Sequence, residues 1–102
     1  MLTFLFVTTR DFKTEIKIEE NKTISELIKL YFEKINLPDL YGDPDIRFIT
    51  NANLLPHGSK EPIKKYIEKN VEINYVVVDD LDDKINRKIT NNYNLFYLQD
   101  HQ

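Results

Sequence analysis

The sequence predicts an α+β fold, a sheet with one amphipathic helix packed on it. Three observations carry that expectation. Two strand-like runs precede a helical run, and two more follow it. Lys13–Glu19 and Val71–Val78 alternate at period two, the signature of strands. Thr23-Ile-Ser-Glu26 is a capping box placed directly before apolar residues at helical spacing.

The first strand spans Leu2–Val7. Leu2, Phe4 and Phe6 share one face, and Leu5 and Val7 take the other. Arg10-Asp11 reads as a hairpin turn without a glycine to set its type. In the second strand Thr14, Ile16 and Ile18 face one way, while Lys13, Glu15, Lys17 and Glu19 face the other. That contrast is the mark of an antiparallel strand with one solvated side. Ile24, Leu27, Ile28, Tyr31 and Ile35 then fall on one face of a helix that Pro38 ends at Leu37 or earlier. A loop follows through Gly42 and Pro44. Ile46–Thr50 forms a third strand, with Phe48 inward and Arg47 and Ile49 outward. Leu54-Leu55 makes a short return strand. Ser59 caps a turn that includes Pro62 and carries Ile63, Tyr66 and Ile67 to the core, and Val71–Val78 is the last strand. Residues 1–78 form the expected domain, and residues 79–102 a C-terminal extension. Leu81, Ile85, Ile89 and Tyr93 recur every fourth residue in that extension, predicting a short helix from about Leu81 to Thr90. The apolar run Tyr93–Leu98 follows it.

Composition narrows the function classes. A chain of 102 residues with 41% hydrophobic and 30% charged residues is an ordinary globular domain. It contains no cysteine, which excludes disulfides, thiolate metal sites and a cysteine nucleophile, and it fits an intracellular, cytoplasmic or nuclear setting. The apolar start lacks a basic n-region, and no run approaches the ~20 apolar residues of a membrane helix. A net charge of −3 with interspersed signs argues against nucleic acid as partner. His57 and His101 are isolated, and His57 beside Gly58 reads as an exposed loop residue. Asp79, Asp80, Asp82 and Asp83 lack calcium-loop spacing and read as a solvated helix start. No nucleophile–base pair or metal-ligand set emerges, so the expectation is a binding module without cofactor or catalytic residues.

The β-β-α-β-β order resembles ubiquitin and the wider β-grasp superfamily. Met1 opens directly into a strand, and Thr23-Ile24 stands at the helix start where ubiquitin has Thr-Ile. Arg47-Phe48-Ile49 stands where ubiquitin has Arg-Leu-Ile. Leu55 and Gly58 fall in the loop of ubiquitin's Leu-Glu-Asp-Gly. Tyr66 and Ile67 match, at altered spacing, a Tyr and Ile before the last strand. The resemblance implies a mixed sheet and a protein-binding role. It also exposes departures. No glycine follows Gly58, so the reactive Gly-Gly arm of a conjugated modifier is not expected. Of ubiquitin's receptor patch Ile49 keeps the Ile, whereas Glu72 and Asn74 stand for the His and Val, and the Leu falls in Thr8-Thr9. Generic ubiquitin receptors are therefore expected to bind weakly or not at all.

These readings place the candidate partner-binding surface on the outer sheet face, at Leu5, Val7, Arg47, Ile49, Glu72 and Asn74. The competing expectation is that the C-terminal segment, through Leu81, Ile85, Ile89, Tyr93, Leu95, Phe96 and Leu98, covers that face or mediates self-association. An alternative function is a Ras-association-type domain meeting a GTPase through Lys13 and Lys17 of the second strand. Glu15 and Glu19 alternate with those lysines and leave the local field nearly neutral.

Overall fold

The computed structural model describes residues 1–67, 71–81 and 84. Strands β1 (Leu2–Thr8) and β2 (Lys13–Ile18) form a hairpin, followed by helix α1 (Ile24–Lys34). Strands β3 (Arg47–Thr50), β4 (Asn53–Leu55) and β5 (Ile73–Asp79) complete the sheet, with 3-10 turns at Pro38–Leu40 and Ile63–Tyr66. The strand order is β2-β1-β5-β3-β4. β1 and β5 run parallel in the centre, and every other pairing is antiparallel. The sheet is therefore mixed, and α1 packs on one face of it. This is the ubiquitin-like β-grasp arrangement that the sequence predicts.

Local chemistry explains where the elements begin and end. The Thr23 hydroxyl accepts the Glu26 amide at 3.2 Å, and the Glu26 carboxylate accepts the Thr23 amide at 2.9 Å. That second bond holds the Glu26 carboxyl below its usual range. At the other end Asn36 takes a left-handed φ of 62°. Its amide bonds the Glu33 carbonyl, and the Leu37 amide bonds the Phe32 carbonyl, which closes a Schellman cap. Asp11, at φ 65°, supplies the left-handed residue of the β1–β2 turn in place of glycine. The β3–β4 hairpin turns on Asn51 and Ala52, both at positive φ, the primed geometry that matches strand twist.

The core lies between α1 and the inner sheet face. Phe4 and Phe6 of β1, Ile16 and Ile18 of β2, Phe48 of β3 and Val76 and Val78 of β5 are buried there against Leu27, Ile28, Tyr31 and Phe32. Phe6 and Tyr31 stack with ring centroids 4.3 Å apart, and Phe48 meets Phe6, Tyr31 and Phe32 edge-on at 5.7–5.9 Å. Ile63 joins this core, with Tyr66 and Ile67 packed at its margin. His57 departs from the expected exposed loop residue. Its ring lies edge-on to Phe48 at 5.1 Å, and its Nε2 bonds the Ile46 carbonyl. The ring contact with Phe48 and the bond to the Ile46 carbonyl hold this loop against the core.

Packing also continues past the boundary expected at residue 78. β5 runs through Asp79, and Leu81 is buried in the core. Lys84 donates to Asp45 at 2.8 Å and lies 3.2 Å from Asp43, which ties the start of the extension to the loop before β3. The Asp45 amide and then Lys84 hold the Asp43 carboxyl below its ordinary range. Asp45 and Asp43 in turn raise Lys84. Leu81 and Lys84 are helical. The rest of the helix expected to Thr90, and the run Tyr93–Leu98, lie outside the described residues.

Two stability outcomes follow. Leu81→Ala should lower unfolding free energy by about 2–5 kcal/mol, read by urea denaturation, because it opens a cavity in the core. An unchanged midpoint would place Leu81 outside the cooperative unit. Ala52→Gly should stabilise the fold by roughly 0.5–1.5 kcal/mol, since glycine relieves the left-handed backbone strain. A lowered melting temperature would contradict that geometry.

Candidate interaction surface

Strand parity decides which side chains reach the outer face. With Phe4 and Phe6 turned inward, Leu5 and Val7 must point out, and both are half-buried there. Their partners on β5 are Tyr75 and Val77. Val77 pairs in turn with Ile49 of β3, and Ile49 with Leu54 of β4. The row Val7–Val77–Ile49–Leu54 thus crosses four adjacent strands, with Leu5 and Tyr75 beside it. Exposure is 48% for Val77, 58% for Leu54, 59% for Tyr75 and 39% for Ile73. A contiguous group of large apolar side chains on one sheet face is unusual for a surface without a role. Between Ile49, Ala52, Val71, Ile73 and Tyr75 the face is dished, with a depression of about 380 Å³.

Charge is present at the margins but largely neutralised within the chain. Arg47 pairs across the strands with Asp79. On β2, Lys13 lies 3.9 Å from Asp11 and Lys17 lies 3.8 Å from Glu15. Each is an exposed pair, worth at most about 1 kcal/mol. Their effect here is to leave the apolar area without a dominant sign of charge.

The six residues expected at this surface are therefore not all brought together. Leu5 and Val7 on β1 and Ile49 on β3 lie on the same outer face with β5 between them, and Arg47 stands at the border. Glu72 is exposed just before β5. Asn74 does not belong to the surface. It faces inward beside Val76, is only 5% exposed, and donates to the Thr3 carbonyl at 3.3 Å. The resemblance-based placement sets the even-numbered residues of β5 outward, whereas the structure turns the odd-numbered ones out. The residues it missed are Ile73, Tyr75 and Val77. Their signal was the second apolar set in the β5 alternation, but Val76 and Val78 carry an equal signal. Only the pairing with β1 decides between the two.

The expectation that the extension covers this face is not met by its described part. Leu81 turns inward, beside Thr8, Tyr31, Ile35 and Leu37, and Lys84 reaches Asp43 and Asp45. The remaining candidates Ile85, Ile89, Tyr93, Leu95, Phe96 and Leu98 lie outside the described residues. No described helix is long and apolar enough to cross a membrane. Among the described residues no group of three or more His, Asp or Glu side chains is placed to hold a metal ion.

The facing of β5 has a direct consequence. Asn74→Asp should destabilise the fold by roughly 1–3 kcal/mol, because it buries a carboxylate with no cationic partner. Tyr75→Asp should cost under about 0.5 kcal/mol, as for an ordinary surface change. Equal costs in thermal denaturation would contradict the assigned facing.

No protein-family model and no curated protein matches this chain. Among solved structures the fold is similar to one described as molecular mimicry of SUMO that promotes DNA repair. The match has a TM-score of 0.55 and 19% sequence identity, and it covers 76% of this chain and 88% of the other. At that identity the likeness concerns the fold, which is ubiquitin-like.

Proposed function

We propose that this chain is a ubiquitin-like protein-interaction module, with a binding rather than a catalytic role. It takes a protein partner on the outer sheet face around Val77, Ile49, Tyr75 and Leu5. The single observation that carries the reading is the continuous apolar row Val7–Val77–Ile49–Leu54 on a face that no described residue covers. The SUMO mimicry named for the structural neighbour agrees with recognition by other proteins as the mode of action. Because the flanking charges are paired within the chain, affinity would come from apolar burial more than from electrostatic steering.

The Ras-association alternative draws on β2, which lies at the open edge of the sheet. Strand addition to an acidic GTPase edge favours a one-sided basic strand. Lys13 and Lys17 are instead neutralised by Asp11 and Glu15. The outer face is the better-supported site.

The test is affinity capture followed by titration of the captured proteins in purified form. Val77→Asp and Ile49→Ala should each weaken binding about tenfold or more, while Lys17→Glu leaves it unchanged, since truncating a central contact typically costs over 1 kcal/mol. Raising the salt from low to high should change affinity only a few-fold. Partners that survive Val77→Asp but are lost with Lys17→Glu would move the site to β2 and support the alternative.

A further inference from the structure

The free edge of β2 carries a second kind of information, separate from the apolar face. Two bonds show which backbone groups point away from β1. The Phe12 carbonyl accepts the Thr8 amide within the hairpin, whereas the Glu15 carbonyl accepts the Lys34 ammonium at 2.9 Å. By strand alternation Lys13, Glu15 and Lys17 present their amides and carbonyls to the open edge. Their side chains belong to the series Asp11, Lys13, Glu15, Lys17 and Glu19, which alternates in sign at every second residue.

A strand with that series is complementary to itself when inverted, provided the register is right. An antiparallel partner must bring odd-numbered residues opposite odd-numbered residues, or the outward backbone groups miss one another. Centring the pair on Glu15 sets Glu15 against Glu15 and Lys13 against Lys17. Centring it on Lys17 sets Lys17 against Lys17 and Glu15 against Glu19. Like charges directly opposite are destabilising. Centring it on Thr14 draws Asp11 into the ladder, and Asp11 has the left-handed φ of a turn. Centring on Ile16 remains. It sets Glu15 opposite Lys17 twice, Thr14 opposite Ile18 twice, and Ile16 opposite itself, all within β2.

We propose that β2 is a self-association edge and that its occupant is a second copy of this chain. The two copies pair β2 to β2 about a two-fold axis at Ile16, giving a continuous ten-stranded sheet. Such an axis stands perpendicular to the sheet, so both α1 helices lie on the same side. Leu30, 39% exposed on α1 beside a groove lined by Ile16 and Ile18, then faces its counterpart across the paired strands. Lys34 occupies the Glu15 carbonyl in the single chain, a common way of covering an edge. Its long flexible stem lets it give way to the incoming strand. The contact is a short one, so the association is weak and depends on concentration.

The experiment is sedimentation equilibrium across a concentration series up to millimolar, on the full chain and on two charge variants. Wild type should show a monomer–dimer equilibrium. Glu15→Lys and Lys17→Glu should each weaken it by about tenfold or more, because each sets like charges opposite at two places. An equimolar mixture of the two variants should regain wild-type association or exceed it. In the mixed pair every lysine at positions 15 and 17 of one variant meets a glutamate of the other. A strictly monomeric wild type, or a mixture no tighter than the single variants, overturns the proposal. Glu15 and Lys17 stand on the outer face, with Glu15 opposite Leu5, so the mixture is the deciding arm. Charge pairing between copies restores association there, whereas damage to a partner site on that face would not be repaired by mixing.

Discussion

The edge-on packing of Phe48 against Phe6, Tyr31 and Phe32 is the contact on which the rest of the structure depends. It joins β3, β1 and, through Tyr31 and Phe32, α1 in one cluster, and the His57 ring packs edge-on to Phe48. Quadrupolar preference makes such edge contacts directional as well as apolar. Once Phe48 and Phe6 are committed to this side of the sheet, period two commits their neighbours to the other. Ile49 and Leu5 cannot be inward while Phe48 and Phe6 are. The outer apolar row is therefore a consequence of the core, and the core does not use it.

That separation explains how much of the molecule was legible in the sequence. The helix was legible because Thr23 and Glu26 announce its start and Pro38 its end, and its apolar spacing admits one face. β2 was legible because Ile16 and Ile18 differ so sharply from Lys13, Glu15 and Lys17. β5 was harder, since Ile73, Tyr75 and Val77 compete with Val76 and Val78 for the same inward role. Its direction follows from the parallel pairing with β1, a contact between segments about 70 positions apart that local pattern does not encode. Asn74 shows what decides such a conflict. A buried amide is tolerated where it finds an acceptor, here the Thr3 carbonyl, and burying Tyr75 and Val77 instead would expose Val76 and Val78.

The burial of Phe32, His57 and Leu81 escapes local pattern for a related reason. Phe32 lies one step off the helical stripe, yet it is fully buried against Phe48, and the turn Pro38–Leu40 also packs on α1. His57 belongs to a Pro- and Gly-bounded segment that reads as solvent-facing by composition alone. Leu81 follows four positions of mixed acidic and apolar character and looked like the start of something separate. In each case burial is imposed by a distant surface that needed covering.

The face and the edge of this sheet answer to different physics. On the face, recognition scales with apolar area removed from water and is insensitive to register, since any complementary apolar surface can occupy it. On the edge, backbone groups repeat along the strand and would accept many registers. Only the alternation of Asp11, Lys13, Glu15, Lys17 and Glu19 makes one register better than its neighbours. A strand of uniform charge there would simply repel a copy of itself, and an uncharged one would pair without discrimination. The alternating series does neither, and it leaves the strand nearly neutral.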